Sequence, residues 1–214
     1  WSELFIQSNT AGLLLSVAPI FALLISHYFT KDDKFSYKKL IAILIGLIGI
    51  IFIFGLESLL GLFSNNYIFI LPKIAVIVAA LGYVISSIMA YNIKNINIIT
   101  LTTFVTMSAA VISVPFMLYV ESYNPSIPSG KSLIALLYLG IFPTAIAFLL
   151  RFYIISKAGP IFLSYVAYLI PVFAIIWGYI FLKEKITLEI LFGVILILLG
   201  VFISQKKSSK TIND

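Results

Sequence analysis

Charged residues are spaced along this sequence so as to leave seven long uncharged gaps. The gaps lie between Glu3 and Lys31, Lys39 and Glu57, Lys73 and Lys94, Lys94 and Glu121, Lys131 and Arg151, Lys157 and Lys183, and Glu189 and Lys206. About 20 apolar residues in a helix cross the hydrocarbon core of a bilayer, so each gap reads as one span. With 62% hydrophobic and 10% charged residues, against roughly a quarter charged in soluble domains, the chain has no means of hiding its apolar surface from water. The expected fold is an all-α integral membrane bundle of about seven transmembrane helices. Residues 58–72 are apolar too, but Asn65-Asn66 interrupts them, and they are expected to form a loop at the interface.

The net charge of +6 does not point to nucleic acid, because the basic residues sit at the ends of apolar runs and form no stripe. They set an orientation instead. With the Lys31 to Lys39 loop placed in the cytoplasm, ten of the 14 basic residues fall inside, leaving Lys73, Lys131, Lys183 and Lys185 outside. The C-terminus then ends in the cytoplasm of an inner (plasma) membrane protein. The chain begins at Trp1, with neither a charged start nor a small-residue cleavage site, and is expected to be a piece of a longer protein.

One stretch is written twice. Pro19-Ile20-Phe21-Ala22-Leu23 lies on Pro171-Val172-Phe173-Ala174-Ile175, and Phe29-Thr30-Lys31-Asp32 on Phe181-Leu182-Lys183-Glu184; after one extra residue, Gly49 lies on Gly200. On the charge map the first turn faces in and the second faces out. Two related hairpins entering from opposite faces are the inverted-repeat plan of many secondary carriers.

The second half is also familiar. The run Tyr138-Leu139-Gly140-Ile141-Phe142-Pro143-Thr144-Ala145-Ile146-Ala147-Phe148 is followed by Lys157-Ala158-Gly159 and then by Tyr168-Leu169-Ile170-Pro171-Val172-Phe173-Ala174. It closes with Phe181-Leu182-Lys183-Glu184-Lys185 and Gly193 through Gly200. This order resembles the EamA branch of the drug/metabolite transporter superfamily. The resemblance implies ten helices in two inverted five-helix halves, with helices four to ten present here. Residues 1–56 would then hold the last two helices of the first repeat, 57–73 an external loop, 74–205 the five helices of the second repeat, and 206–214 a cytoplasmic tail. The family often has an acidic residue before the helix proline, where this chain has Ala18 and Ile170. Glu184 matches the acidic residue common at the end of helix nine.

Candidate cargo contacts are polar or aromatic residues on the faces that inverted repeats bring together near the midplane. They are Ser16 and Pro19 on the first proline helix, Ser164, Tyr165, Tyr168, Pro171 and Trp177 on the second, Tyr83 and Ser87 on a third, and Thr144 beside Pro143. For any one of them, ordinary helix packing is as good a reading. Ala42 with Gly46, and Gly193 with Gly200, read as packing. Arg151 sits a turn inside its span and reads as snorkelling to the interface, or as a contact for an anionic cargo. His27 stands alone, there is no cysteine, and Asp32-Asp33 is a lone acidic pair, so no metal site and no cofactor are expected. The expected function is secondary transport of a small molecule by alternating access, with a coupling ion and homodimerisation left open. A sensor or interaction subunit without cargo and an intramembrane lipid-modifying enzyme are the alternatives; the second lacks the clustered acids it would need.

Overall fold

The computed structural model describes residues 1–56, 58, 60, 70–93, 95–123, 129–183 and 185–205. Glu184, positions 57, 59 and 61–69 of the expected loop, and the expected tail lie outside the described residues. All regular structure among the described residues is helical. A single 3-10 turn, Ser2–Leu4, precedes α1 (Ser8–Leu15), α2 (Ala18–Phe29), α3 (Tyr37–Phe54), α4 (Ile70–Asn92) and α5 (Ile98–Tyr123). Then come α6 (Gly130–Leu139), a π-helical stretch Gly140–Ile146, α7 (Ala147–Ala158), α8 (Pro160–Ser164), α9 (Val166–Trp177), a second π-helical stretch Gly178–Leu182, and α10 (Leu188–Gln205). Six of these helices or helix pairs are long and apolar enough to span a membrane, and the shorter Leu188–Ser204 is apolar as well. Their outer faces carry large exposed apolar side chains, such as Phe104 at 71% and Leu188 at 82%. Surface of that kind over whole helices belongs in lipid, and the chain is an integral membrane protein.

The chain divides into two compact units: Trp1–Met89 with Ala158–Asp214, and Ala90–Lys157. The first holds both related hairpins. Neither proline helix runs straight through. Pro19 was expected in mid-helix, but the helix breaks at Ser16 and Val17, and Pro19 falls at the start of α2. There the missing N–H costs nothing, because a first-turn amide has no intrahelical acceptor. In the second copy the break is at Tyr165, well before Pro171, which stays inside α9. Helix α4 begins at Ile70, so Ile70 to Lys73 are already helical; Pro72 is tolerated in this first turn for the same reason.

The two copies meet along α3 and α10 through backbone. A Cβ on Gly49 would lie 2.6 Å from the Gly193 carbonyl oxygen, and one on Gly200 would lie 2.6 Å from that of Ala42. The contacts pair rising numbers in α3 with falling numbers in α10, so the two helices run antiparallel. They are also mutual images. The register that sets Gly49 on Gly200 sets Ala42 on Gly193, and it turns the first contact into the second. Small residues allow this approach, and in lipid close packing of this kind drives helix association. Around the seam, Leu23, Ile43, Ile50, Tyr165, Tyr168 and Ile197 form a buried core. The Tyr168 ring lies over Gly46, where a Cβ would come within 2.6 Å of it, and its hydroxyl donates to the Ile43 carbonyl at 3.2 Å.

The second unit satisfies its polar groups locally, as a bilayer requires. Along α5 the hydroxyls of Thr102, Thr106 and Ser113 donate to the carbonyls of Ile98, Thr102 and Ala110 at 2.8, 2.8 and 2.9 Å. Ser129 caps α6, accepting the Ser132 N–H at 3.2 Å. In the π-helical stretch around Pro143, where backbone bonds run from residue i to i+5, the Thr144 hydroxyl also donates to the Leu139 carbonyl at 2.9 Å.

Candidate functional site

Small side chains leave a space inside the first unit. Its volume is about 590 Å³, and its wall is built from the 3-10 turn, α1, the start of α2, the last residue of α3, the middle of α4, and the α8–α9 arm. The size suits a drug-sized molecule. Ala18, Ala80, Leu163, Ser164 and Pro171 form its buried floor, while Glu3, Ser8, Leu15, Tyr83 and Ile170 lie on its exposed side. Gly12 belongs to the wall because the Phe54 ring lies against it; a Cβ there would be 2.6 Å from that ring. The lining is almost wholly apolar. Among the described residues its ionisable groups are the Glu3 carboxylate and the Tyr83 phenol, with no Lys, Arg or His. The Ser164 hydroxyl donates to the Ile161 carbonyl at 2.6 Å, which leaves its oxygen as an acceptor at the floor.

Just beyond that floor is the most polar contact between the two hairpins. Gly159 precedes α8 with φ of +86° and ψ of 166° and has no side chain with which to cap it. The cap comes from far along the chain. Asp33 Oδ2 accepts the Ile161 N–H at 2.9 Å, and Asp33 Oδ1 accepts from Lys39 Nζ at 2.7 Å. Lys39 Nζ also donates to the Lys34 carbonyl at 2.9 Å, and the Thr30 hydroxyl holds the turn by donating to the Ser26 and Asp33 carbonyls at 2.7 and 2.9 Å. Next along the α8–α9 arm, the Tyr165 hydroxyl donates to the Lys39 carbonyl at 3.4 Å. Asp33 is buried, and a carboxylate is tolerated there only because both oxygens are occupied.

Of the residues singled out from sequence, Tyr83, Ser164 and Pro171 line the cavity. Ser16, Pro19, Ser87, Tyr165 and Tyr168 are buried in packing instead. Ser16 Oγ donates to the Leu13 carbonyl at 2.6 Å and Ser87 Oγ to that of Tyr83 at 2.8 Å. Trp177 is exposed and stacks on Phe181, with ring centroids 5.5 Å apart. Thr144 and Arg151 belong to the second unit. Arg151 is buried, its guanidinium 5.3 Å from the Phe148 ring centre and 5.5 Å from that of Phe152. Sequence reasoning missed Glu3, Gly12, Ala79, Ala80, Ala167 and Ala174, because a cavity is made by what side chains lack. It also missed the partner of Asp33, for which Gly159-Pro160 was the available signal: a cap position with no capping side chain. No group of three or more His, Cys, Asp or Glu able to hold a metal occurs among the described residues.

The chain is 28% identical over 201 residues to the uncharacterized transporter YoaV of Bacillus subtilis, a match covering 94% of this chain and 67% of the relative. It is 29% identical over 207 residues to an uncharacterized transporter of Archaeoglobus fulgidus, covering 96% of this chain and 70% of that one. A solved crystal structure superposes with a TM-score of 0.76 at 18% identity, over 95% of this chain and 68% of the other, which shows a common fold alone. The chain thus spans about two thirds of the proteins it matches. Residues 67–205 match the EamA-like transporter family, and the chain belongs to that family.

Proposed function

We propose that this chain supplies most of the cargo path of a secondary transporter that moves a small molecule across the membrane by alternating access. The observation behind it is an apolar cavity of about 590 Å³ walled by α1, α4, the head of α2 at Ala18 and the α8–α9 arm, in a unit whose two hairpin copies run antiparallel. Inverted repeats of this kind bind cargo where the copies meet and rock around it. A gradient of the cargo or of a coupled ion supplies the drive. The distribution of lysines supports a cytoplasmic C-terminus.

The lining also selects by chemistry. Apolar walls with one carboxylate and no base favour a cargo with an apolar body and a neutral or cationic head, and disfavour an anion. The test is uptake by the full-length protein in proteoliposomes, using cationic, neutral and anionic compounds of similar size. Cationic and neutral compounds are expected to be carried and anionic ones left behind. Glu3→Gln is expected to raise KM for the cationic compounds about two- to fivefold, the range for an exposed charge pair, without changing the neutral ones. Uptake of no compound under any imposed gradient would overturn the transport reading, and preferential uptake of anions would overturn the cargo class.

A further inference from the structure

We infer that Asp33 is the latch that closes the lysine-rich end of this cavity, and that its release from α8 opens the path on that side. The inference rests on the transport reading and concerns how one of its two gates is held.

The geometry is that of a short bar pinned at one end. The bar is α8, five residues from Pro160 to Ser164. Its last two residues, Leu163 and Ser164, are buried in the cavity floor. Its first turn is held by the Asp33 carboxylate through the Ile161 N–H. Chain breaks at Gly159 and Tyr165 bound it on either side, so it can move without carrying α9 as a rigid rod. On the far side of the floor the wall leads towards Glu3, Ser8 and Phe54, at the ends of their elements remote from the Lys31 to Lys39 turn. The cavity therefore reaches one end of the first unit, while α8 and its latch stand between it and the other.

Three features make this contact an adjustable one. It joins the two copies by a charged side chain, whereas the α3–α10 seam joins them by backbone against backbone. The Asp33 turn is exposed at Lys31 and Asp32, so water can take over the hydrogen bonds of both partners when they part. Gly159 is also fitted to the latch: at φ of +86°, a Cβ there would be 2.7 Å from Asp33 Oδ2 and would push the carboxylate off the Ile161 N–H. Lys39 pairs with the same carboxylate at 2.7 Å and holds its aim. Asp33 is thus a positioning residue, acting on the cargo site through α8.

The test reads accessibility directly. These 214 residues hold no cysteine, so, with any cysteine elsewhere in the full-length protein replaced by serine, Ser164→Cys places a single thiol at the cavity floor, and Asp32→Cys in a separate protein marks the lysine-rich face. A membrane-impermeant maleimide is applied to one side at a time of vesicles holding the full-length protein. With Asp33 intact, the thiol at 164 is expected to react from the face opposite the Asp32 marker. Asp33→Ala is expected to raise its labelling from the marked face by about tenfold, the scale of losing a charge-assisted hydrogen bond. Gly159→Ala is expected to do the same from the other partner. Asp33→Asn keeps an acceptor for the Ile161 N–H, serves as the milder variant if the others fold poorly, and is expected to give a smaller rise. One-sided labelling in all three variants overturns the latch, while uptake by the parent protein leaves the transport reading standing. Absence of uptake in the parent protein under every gradient overturns the transport reading itself, and the latch with it.

Discussion

Single glycines carry much of the packing. Gly49→Ala and Gly200→Ala each place a Cβ 2.6 Å from a carbonyl oxygen of the opposing helix, and a backbone oxygen has no rotamer by which to yield. Each is expected to cost about 1–3 kcal/mol, the usual penalty of overpacking. Gly82 has nothing within 4 Å of its Cβ position, and Gly82→Ala is expected to be neutral or to stabilise by about 0.5–1 kcal/mol through helix propensity. Thermal melts of the purified protein in detergent check all three. Because the Gly49 and Gly200 contacts are images of one another, the first two are expected to fall by similar amounts. That Ala42, Gly46, Gly193 and Gly200 serve packing was readable from their size and spacing. Which residue each of them meets was not, since the partners lie far apart in sequence.

At the scale of one helix, the stretch Gly140–Ile146 shows how a proline is accommodated in lipid. Pro143 sits in a π-helical turn, where bonds run from residue i to i+5, and the Thr144 hydroxyl ties that turn to the Leu139 carbonyl at 2.9 Å. Thr144→Val is expected to destabilise by about 1 kcal/mol, the net worth of one hydrogen bond, with Thr144→Ser retaining it. Melting temperatures of the two variants in detergent check this difference. Sequence reading placed Thr144 among cargo contacts because a hydroxyl beside a helix proline has two uses, and only the hydrogen-bond partner separates them. The proline helices of the first unit carry a related lesson. A proline identifies where an amide is missing, yet the chain broke at Ser16–Val17 and at Tyr165, where the surrounding packing allowed it.

For the whole molecule, antiparallel α3 and α10 put the Lys31 to Lys34 turn and the turn at Lys183 to Lys185 at opposite ends of the first unit. Single cysteines at Asp32 and Lys185, both exposed, are expected to react with an impermeant maleimide from opposite sides of the membrane. Labelling of both from one side would remove the basis of the two-gate reading. The sequence by itself determined the apolar runs, the doubled hairpin and a charge pattern that predicts opposed entry of its two copies, because the cost of burying charge in hydrocarbon limits where a chain can cross. Tertiary structure alone decided where the hollow lies and what closes it. An empty volume is set by the distance between backbones, and the Asp33 to Ile161 bond joins residues whose proximity follows from that packing and from no local pattern.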